Sequence, residues 1–150
     1  MHVKPVFFKN YEEAIETLKL PEDIFIVNIS THLDSLDRVR SDLRVVYKVG
    51  LGGMKTPGHP SGNQMYYRQA PILDSLKKYA SLPVMIKYSD GCIQYLGMFK
   101  FNNLRIKVSF EGFKYYEFEL HRRSPQANSE TVSPSNDLRT LNISFEELMK

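Results

Sequence analysis

The chain has 150 residues, 42% of them apolar and 25% charged, enough for one domain with its own core and no need of metal or disulfide support. Its single cysteine, Cys92, excludes an intramolecular disulfide framework and a cysteine-rich zinc site, and fits a reducing compartment. Twenty basic against seventeen acidic residues leave a net charge of +3, too small to argue for nucleic acid by itself.

Val3 to Phe8 is short, β-branched and aromatic, and reads as a strand. Asn10 is placed to cap a helix with Glu12 and Glu13 in its first turn; Ala14, Ile15 and Leu18 give the apolar face, and Pro21 ends it. Ile24 to Ile29 reads as a second strand. The polar stretch from Ser30 to Asp42 has no periodicity that separates a short helix from a loop. Leu43 to Val49 is a third strand, running into Gly50-Leu51-Gly52-Gly53. Met54 to Asn63 is dense in turn formers and reads as an exposed loop.

Gln64 to Ala80 regains a helical pattern, with Pro71 near its first turn. Four strands are then expected: Val84 to Tyr88, Ile93 to Phe101, Leu104 to Phe110 and Tyr115 to His121. Asp90-Gly91, Asn102-Asn103 and Glu111-Gly112 are the intervening turns. Such a meander curls into a small barrel. After Arg123 the composition changes: Ser124 to Asn136 holds four serines, two prolines and no aromatic residue. The organisation expected is a folded domain over 1–123, a linker over 124–142 and a short helix over 143–150, capped by Ser144.

No apolar run approaches the roughly 18 residues of a membrane span. Met1-His2-Val3-Lys4-Pro5 lacks the apolar stretch of a secretory signal, so a cytoplasmic protein without membrane contact is expected. The charge is unevenly spread. Between Lys77 and Arg123 nine basic residues face four acidic ones, and Arg105 and Lys107 share a strand face, as do Glu117 and Glu119. Tyrosines interleaved with these cations suit phosphate contact combined with base stacking.

His2, His32, His59 and His121 make no short metal-ligand spacing, and no cofactor is expected. Cys92 precedes an apolar strand and reads as a small core residue. The glycine segment lacks the spacing of a dinucleotide or P-loop fingerprint. No catalytic residue stands out.

Residues 43 to 123 carry an ordered set of short motifs. They are Tyr47-Lys48-Val49-Gly50-Leu51-Gly52-Gly53; Asn63-Gln64 with Ala70-Pro71-Ile72-Leu73-Asp74-Ser75; Pro83-Val84; Tyr95-Leu96-Gly97 with Phe99-Lys100; and Phe118 to Arg123. Together they resemble the SRA (SET- and RING-associated, or YDG) domain, a PUA-like barrel that reads modified cytosine in DNA. Leu96 stands at the aspartate of the Tyr-Asp-Gly signature, and one extra residue follows Tyr47.

The resemblance implies an α+β fold: a small PUA/SRA-like curved β-barrel flanked by two or three helices, with a flexible C-terminal tail. It implies a non-catalytic domain that binds duplex DNA containing 5-methyl- or 5-hydroxymethylcytosine by flipping the base. The chain's small size is similar to bacterial relatives that target modification-dependent restriction enzymes, with a nuclease fused or associated. In that reading Tyr47 stacks on the base, and a carboxylate accepts the exocyclic amine. Asp37 and Asp42 compete for the latter role, with Asp42 preferred. The Gly50, Gly52 and Gly53 backbone meets the base edge. Lys55, His59, Asn63 and Gln64 belong to a loop that enters the groove, and Lys77, Lys78, Arg105, Lys107, Arg122 and Arg123 neutralise phosphates. Related barrels read RNA, so an RNA-binding module is the first rival. A small nuclease or glycosylase acting on modified DNA is the second, and a protein-interaction barrel the third.

Overall fold

The computed structural model describes residues 6–123. The linker and terminal helix expected over 124–150 lie outside them. In chain order the elements are β1 (Val6–Phe8), α1 (Tyr11–Leu18), β2 (Val27–Ile29), β3 (Arg38–Val39), β4 (Val45–Val49), β5 (Met54–Thr56), β6 (His59–Pro60), a 3-10 turn (Tyr66–Gln69), α2 (Ala70–Tyr79), β7 (Ser81–Lys87), β8 (Ile93–Val108) and β9 (Lys114–Arg122).

Both helices begin and end for local reasons. The Asn10 side chain accepts the Glu13 amide of α1 at 2.9 Å, and Lys19 closes the helix in the left-handed region at φ 53°. In α2, Pro71 occupies the first turn, where no backbone donor is needed, and Ala80 turns the chain out at φ 65°. Its apolar stripe, Ile72, Leu73 and Leu76, joins Val46, Leu82, Phe99, Phe118 and Leu120 in the main core. A smaller cluster of Phe8, Ala14, Met85 and Ile93 seats α1.

The main sheet runs β2-β7-β8-β9-β4-β3, with β1 paired to β8; β2 and β7 are parallel and the other pairs antiparallel. The expected α+β architecture with a curled sheet is what the structure shows, with three corrections. Asn102-Asn103 is not a turn. It lies inside β8, a strand of 16 residues that pairs with β7 through its first half and with β9 through its second. A bulge between Phe101 and Asn103 absorbs the extra residue, and Asn102 donates to Glu119 at 2.7 Å instead of turning the chain. The four-strand meander is therefore three strands. Within the segment expected as an exposed loop, Met54 to Pro60 form a short hairpin, β5–β6.

The third correction concerns closure, because no backbone ladder joins β2 to β3. Side chains close that seam. Lys48 Nζ donates to Asn28 O on β2 at 2.7 Å and to Asp37 Oδ2 at 2.9 Å. Asp37 in turn accepts from the Ser30 amide at 3.0 Å and the Val49 amide at 2.8 Å. The result is a half-barrel fastened by one buried ion pair.

The Tyr95-Leu96-Gly97 stretch also has a local explanation. Leu96 occupies a bulge in β8 and is buried in the main core, a site that wants an apolar side chain. Gly97 lies at φ 121°, and a Cβ there would stand 2.9 Å from Arg122 Nε.

Candidate nucleic-acid interface

Register sorts the sheet into two faces. Directly paired residues share a face, and successive residues alternate. Tyr47 pairs with Glu119 and with Arg38, Val49 pairs with Glu117, and Glu117 pairs with Arg105. Val46, Phe118 and Leu120 therefore point to the α2-covered core, while Arg38, Tyr47, Arg105, Glu117 and Glu119 lie on the opposite face. Lys100 and Lys107 join them through their pairing with His121 and Tyr115. Arg40 follows Arg38 by two residues. Five cations thus share this face with three carboxylates, Asp42, Glu117 and Glu119.

Tyr47 is half-buried, with the Arg38 guanidinium carbon 4.0 Å from its ring centroid. The same guanidinium donates from Nη2 to Glu117 Oε2 at 3.1 Å. Glu117 is buried, its side chain 4% exposed, and Lys107 Nζ also donates to Oε2 at 3.4 Å, while Arg105 Nη1 lies 3.7 Å from Oε1. Glu119 accepts from Arg105 at 2.6 Å, His121 at 2.6 Å and Asn102 at 2.7 Å. Burial pushes the Glu119 carboxyl up, but the hydrogen bonds from His121 and Arg105 outweigh it and hold it below the usual range.

The glycine segment is held by two buried glutamines. Gln64 Nε2 donates to Gly50 O at 2.7 Å and Gly52 O at 3.0 Å, and its Oε1 accepts the Tyr116 amide at 2.9 Å. Gln69 exchanges a hydrogen bond in each direction with Leu51. A Cβ on Gly50 would stand 2.5 Å from Gln69 Oε1, so glycine is required there by close approach. Gln64 is fully buried and is a latch rather than a groove residue. Asn63 likewise spends its side-chain oxygen on the Lys114 amide at 2.8 Å. The turn-rich segment does not reveal the burial of Gln64, whereas Asn63 is exposed and is held only through that one oxygen.

Of that loop, Lys55 is exposed and His59 is the organiser. The His59 ring lies 2.9 Å from the Asp34 carbonyl through Nδ1 and 2.9 Å from Glu111 through Nε2. It ties the β5–β6 hairpin to the 30–37 loop and to the β8–β9 turn. The Asp34 carbonyl contributes most to raising the His59 pKa; burial opposes and the Glu111 carboxylate adds. Leu33 and Phe110 stand fully exposed on two of the tethered loops.

The two acids proposed for the pocket have other work. Asp42 sits in the β3–β4 turn, bonded to Arg40 at 2.6 Å and 3.0 Å and to the Arg44 amide at 3.0 Å. Those partners, Arg40 first, lower its pKa to about 2. It makes no hydrogen bond to Tyr47 or to the glycine segment. Asp37 is the seam carboxylate.

The cations divide as well. Lys77 and Lys78 are on α2, beyond the core from Tyr47, and Lys78 is paired with Asp23. A groove of about 380 Å³ there is lined by Asp23, Asp74, Ser75 and Lys78, so two carboxylates face one lysine that is already paired, a poor setting for phosphate. Arg122 packs on Gly97, and Arg123 is exposed at the end of β9. Sequence reasoning missed Arg38 and Arg40, and it saw Glu117 only as the strand-face partner of Glu119. The shared faces of Arg105 with Lys107 and of Glu117 with Glu119 were legible, but the register joining them to Tyr47 was not.

Among the described residues no helix is long and apolar enough to cross a membrane, and no three His, Cys, Asp or Glu side chains cluster as a metal site.

No family model and no curated protein matches the chain. Solved structures do. The chain is similar to the SUVH5 SRA domain in a hemi-methylated CG DNA complex, at 18% identity and TM-score 0.55, over 79% of this chain and 85% of that one. It is similar to KRYPTONITE in complex with mCHG DNA and SAH at 16% identity and TM-score 0.52, over 83% of this chain and 32% of that one. It is similar to SUVH5 SRA bound to fully hydroxymethylated CG DNA at 19% identity and TM-score 0.51, over 67% of this chain and 64% of that one. In several of these matches the chain spans less than two thirds of its neighbour. The fold is SRA-like.

Proposed function

We propose that this protein is a DNA-binding domain that recognises modified cytosine in duplex DNA by flipping the base against Tyr47. The observation that carries the reading is this half-exposed ring on the polar face of an SRA-like sheet, with Arg38, Arg40, Arg105 and Lys107 around it. Flipping costs a few kcal/mol. Stacking on an aromatic returns about 1–3 kcal/mol per base, and charge-assisted phosphate contacts supply the rest. The solved neighbours named above are complexes with methylated or hydroxymethylated DNA, which supports the same ligand class here.

Lys55 and the His59-tethered loops approach the groove in this reading, and Arg123 extends the phosphate contacts. We further propose a cytoplasmic role as the targeting part of a modification-dependent restriction system, with cleavage supplied by a separate nuclease. The support is the resemblance of residues 43 to 123 to a domain that also serves as the targeting part of such systems.

The test is a titration at fixed salt with matched duplexes carrying cytosine, 5-methylcytosine or 5-hydroxymethylcytosine, and an RNA control. A preference of about tenfold, ~1.4 kcal/mol, for one modified duplex is expected. Equal affinity for the three duplexes defeats the reader, and RNA bound best replaces it with an RNA-binding module.

A further inference from the structure

Arg38 occupies the position a stacked base would take. Its guanidinium is a flat, delocalised plane 4.0 Å from the Tyr47 ring centroid, and one of its amino groups donates to Glu117 Oε2 at 3.1 Å. A cytosine ring stacked on Tyr47 offers the same pair of features: a planar π system and an exocyclic amine that needs an acceptor. We infer that Arg38 is a placeholder for the flipped base, and that Glu117 is the carboxylate that accepts the base's exocyclic amine once Arg38 swings away. The inference rests on the base-flipping reading and names its specificity-determining residue.

Three features make the exchange feasible. Arg38 is anchored only at its head: its side chain is 53% exposed while that of Glu117 is 4% exposed, so the arginine can leave and the acid stays. Its departure does not orphan the carboxylate, because Lys107 at 3.4 Å and Arg105 at 3.7 Å still face it. Glu117 also belongs to a strand paired on both sides, to Val49 on β4 and to Arg105 on β8, so the acceptor is held on a rigid element. Asp37 and Asp42, by contrast, accept backbone amides that cannot move aside.

The assignment predicts which ring is admitted. Thymine carries the same methyl group as 5-methylcytosine but presents a carbonyl where cytosine has an amine. Two acceptors then face each other at Glu117, a mismatch that buried sites reject strongly. Adenine carries an amine but is larger. Released Arg38 is free to meet a phosphate.

The experiment compares wild type, Tyr47→Ala, Glu117→Gln and Arg38→Ala on duplexes that present 5-methylcytosine or thymine opposite guanine, and on the unmodified duplex. Ratios between proteins on one duplex cancel the cost of opening that duplex. Glu117→Gln gives the site a donor, so discrimination of 5-methylcytosine from thymine is expected to fall by about tenfold. Arg38→Ala removes the competing occupant, so the modified-over-unmodified ratio is expected to rise by about threefold or more, even as one cation is lost. Glu117→Gln with wild-type discrimination, or Arg38→Ala with a lowered ratio, overturns the inference. Should Glu117→Gln fail to fold, the Arg38→Ala ratio decides alone. Loss of preference in Tyr47→Ala together with its retention in Glu117→Gln removes this inference and leaves the reader. A wild type without preference removes both.

Discussion

Among the buried carboxylates of this small sheet, Asp37 and Glu117, each with a cation beside it, differ in what holds them. Asp37 accepts two backbone amides, from Ser30 and Val49, and a lysine whose side chain is only 9% exposed. Glu117 accepts only from Arg38 and Lys107, with Arg105 close by, and these side chains are 39–53% exposed. Backbone donors are fixed by the fold; long exposed side chains can leave. The first carboxylate is a fastening, and the second is a group that can exchange partners. Burial alone does not separate them, since both are hidden from water.

The contrast breaks first at the seam. Asp37→Ala strands the Lys48 ammonium between β2 and β4 and leaves its bond to Asn28 O as what remains of the side-chain seam. Losing one partner of a buried pair costs about 3–5 kcal/mol, visible as a lower denaturant midpoint. Arg38→Ala, at the exposed end of its pair, should change stability by about 1 kcal/mol or less. Equal losses in the two variants would erase the distinction between fastening and exchangeable group.

Next in size is the latch under the glycine segment. Gln64→Ala leaves the Tyr116 amide and the Gly50 carbonyl without their partners, at about 1–3 kcal/mol for each buried group. Gly50→Ala attacks the same spot from the other side, forcing apart two glutamines whose oxygens are already engaged, and overpacking of this kind costs about 1–3 kcal/mol. Both effects are read by equilibrium unfolding. A neutral Gly50→Ala would show that the segment has room to spare.

The polar face should respond in binding and not in stability. Tyr47→Ala is expected to lower the preference for modified duplex by about tenfold, within the 1–3 kcal/mol range of base–aromatic stacking, with little change in unfolding midpoint. Asp42→Asn is the matched control. Its carboxylate serves the β3–β4 turn, so the preference should stay at the wild-type value. Titration of the two proteins against modified and unmodified duplexes checks both. A loss of preference in Asp42→Asn would return that residue to the pocket.

Much of this was legible in the chain. Asn10, Pro71 and Asp90-Gly91 announced their helix start, helix first turn and hairpin through local chemistry alone, and the alternation in β9 marked a strand with one apolar face. What local patterns could not supply is register and burial. Asn102-Asn103 has turn chemistry, yet a bulge holds it mid-strand because β9 pairs on either side of Asn102 and Glu119 accepts its side chain. Gln64 has loop chemistry and lies fully buried. Arg38 meets Tyr47 only because a hairpin brings together residues nine apart, and Glu117 joins them from 79 residues away. Tyr47 could be singled out from sequence; the group beside it could not.

The smallest effect concerns the loops, where the tie is a single histidine. Both His59 ring nitrogens face acceptors, Asp34 O and Glu111 Oε2, each at 2.9 Å. Satisfying both requires two N–H donors, hence the imidazolium, and the His59 pKa is accordingly raised above 6.5, chiefly by the Asp34 carbonyl. A raised folded-state pKa means stability that is fully present below the unfolded value of 6.5 and is lost as pH climbs through the folded value. His59→Gln should therefore lower the urea midpoint more at low pH, where the wild-type ring is charged, than once pH has climbed past the folded value and the ring has lost its proton and one of its two bonds. Because the ring is at the surface, the difference should be well below that of the seam and latch variants. A midpoint difference independent of pH would mean that the imidazolium is not what holds the three loops together, and the tether would then be one of shape alone.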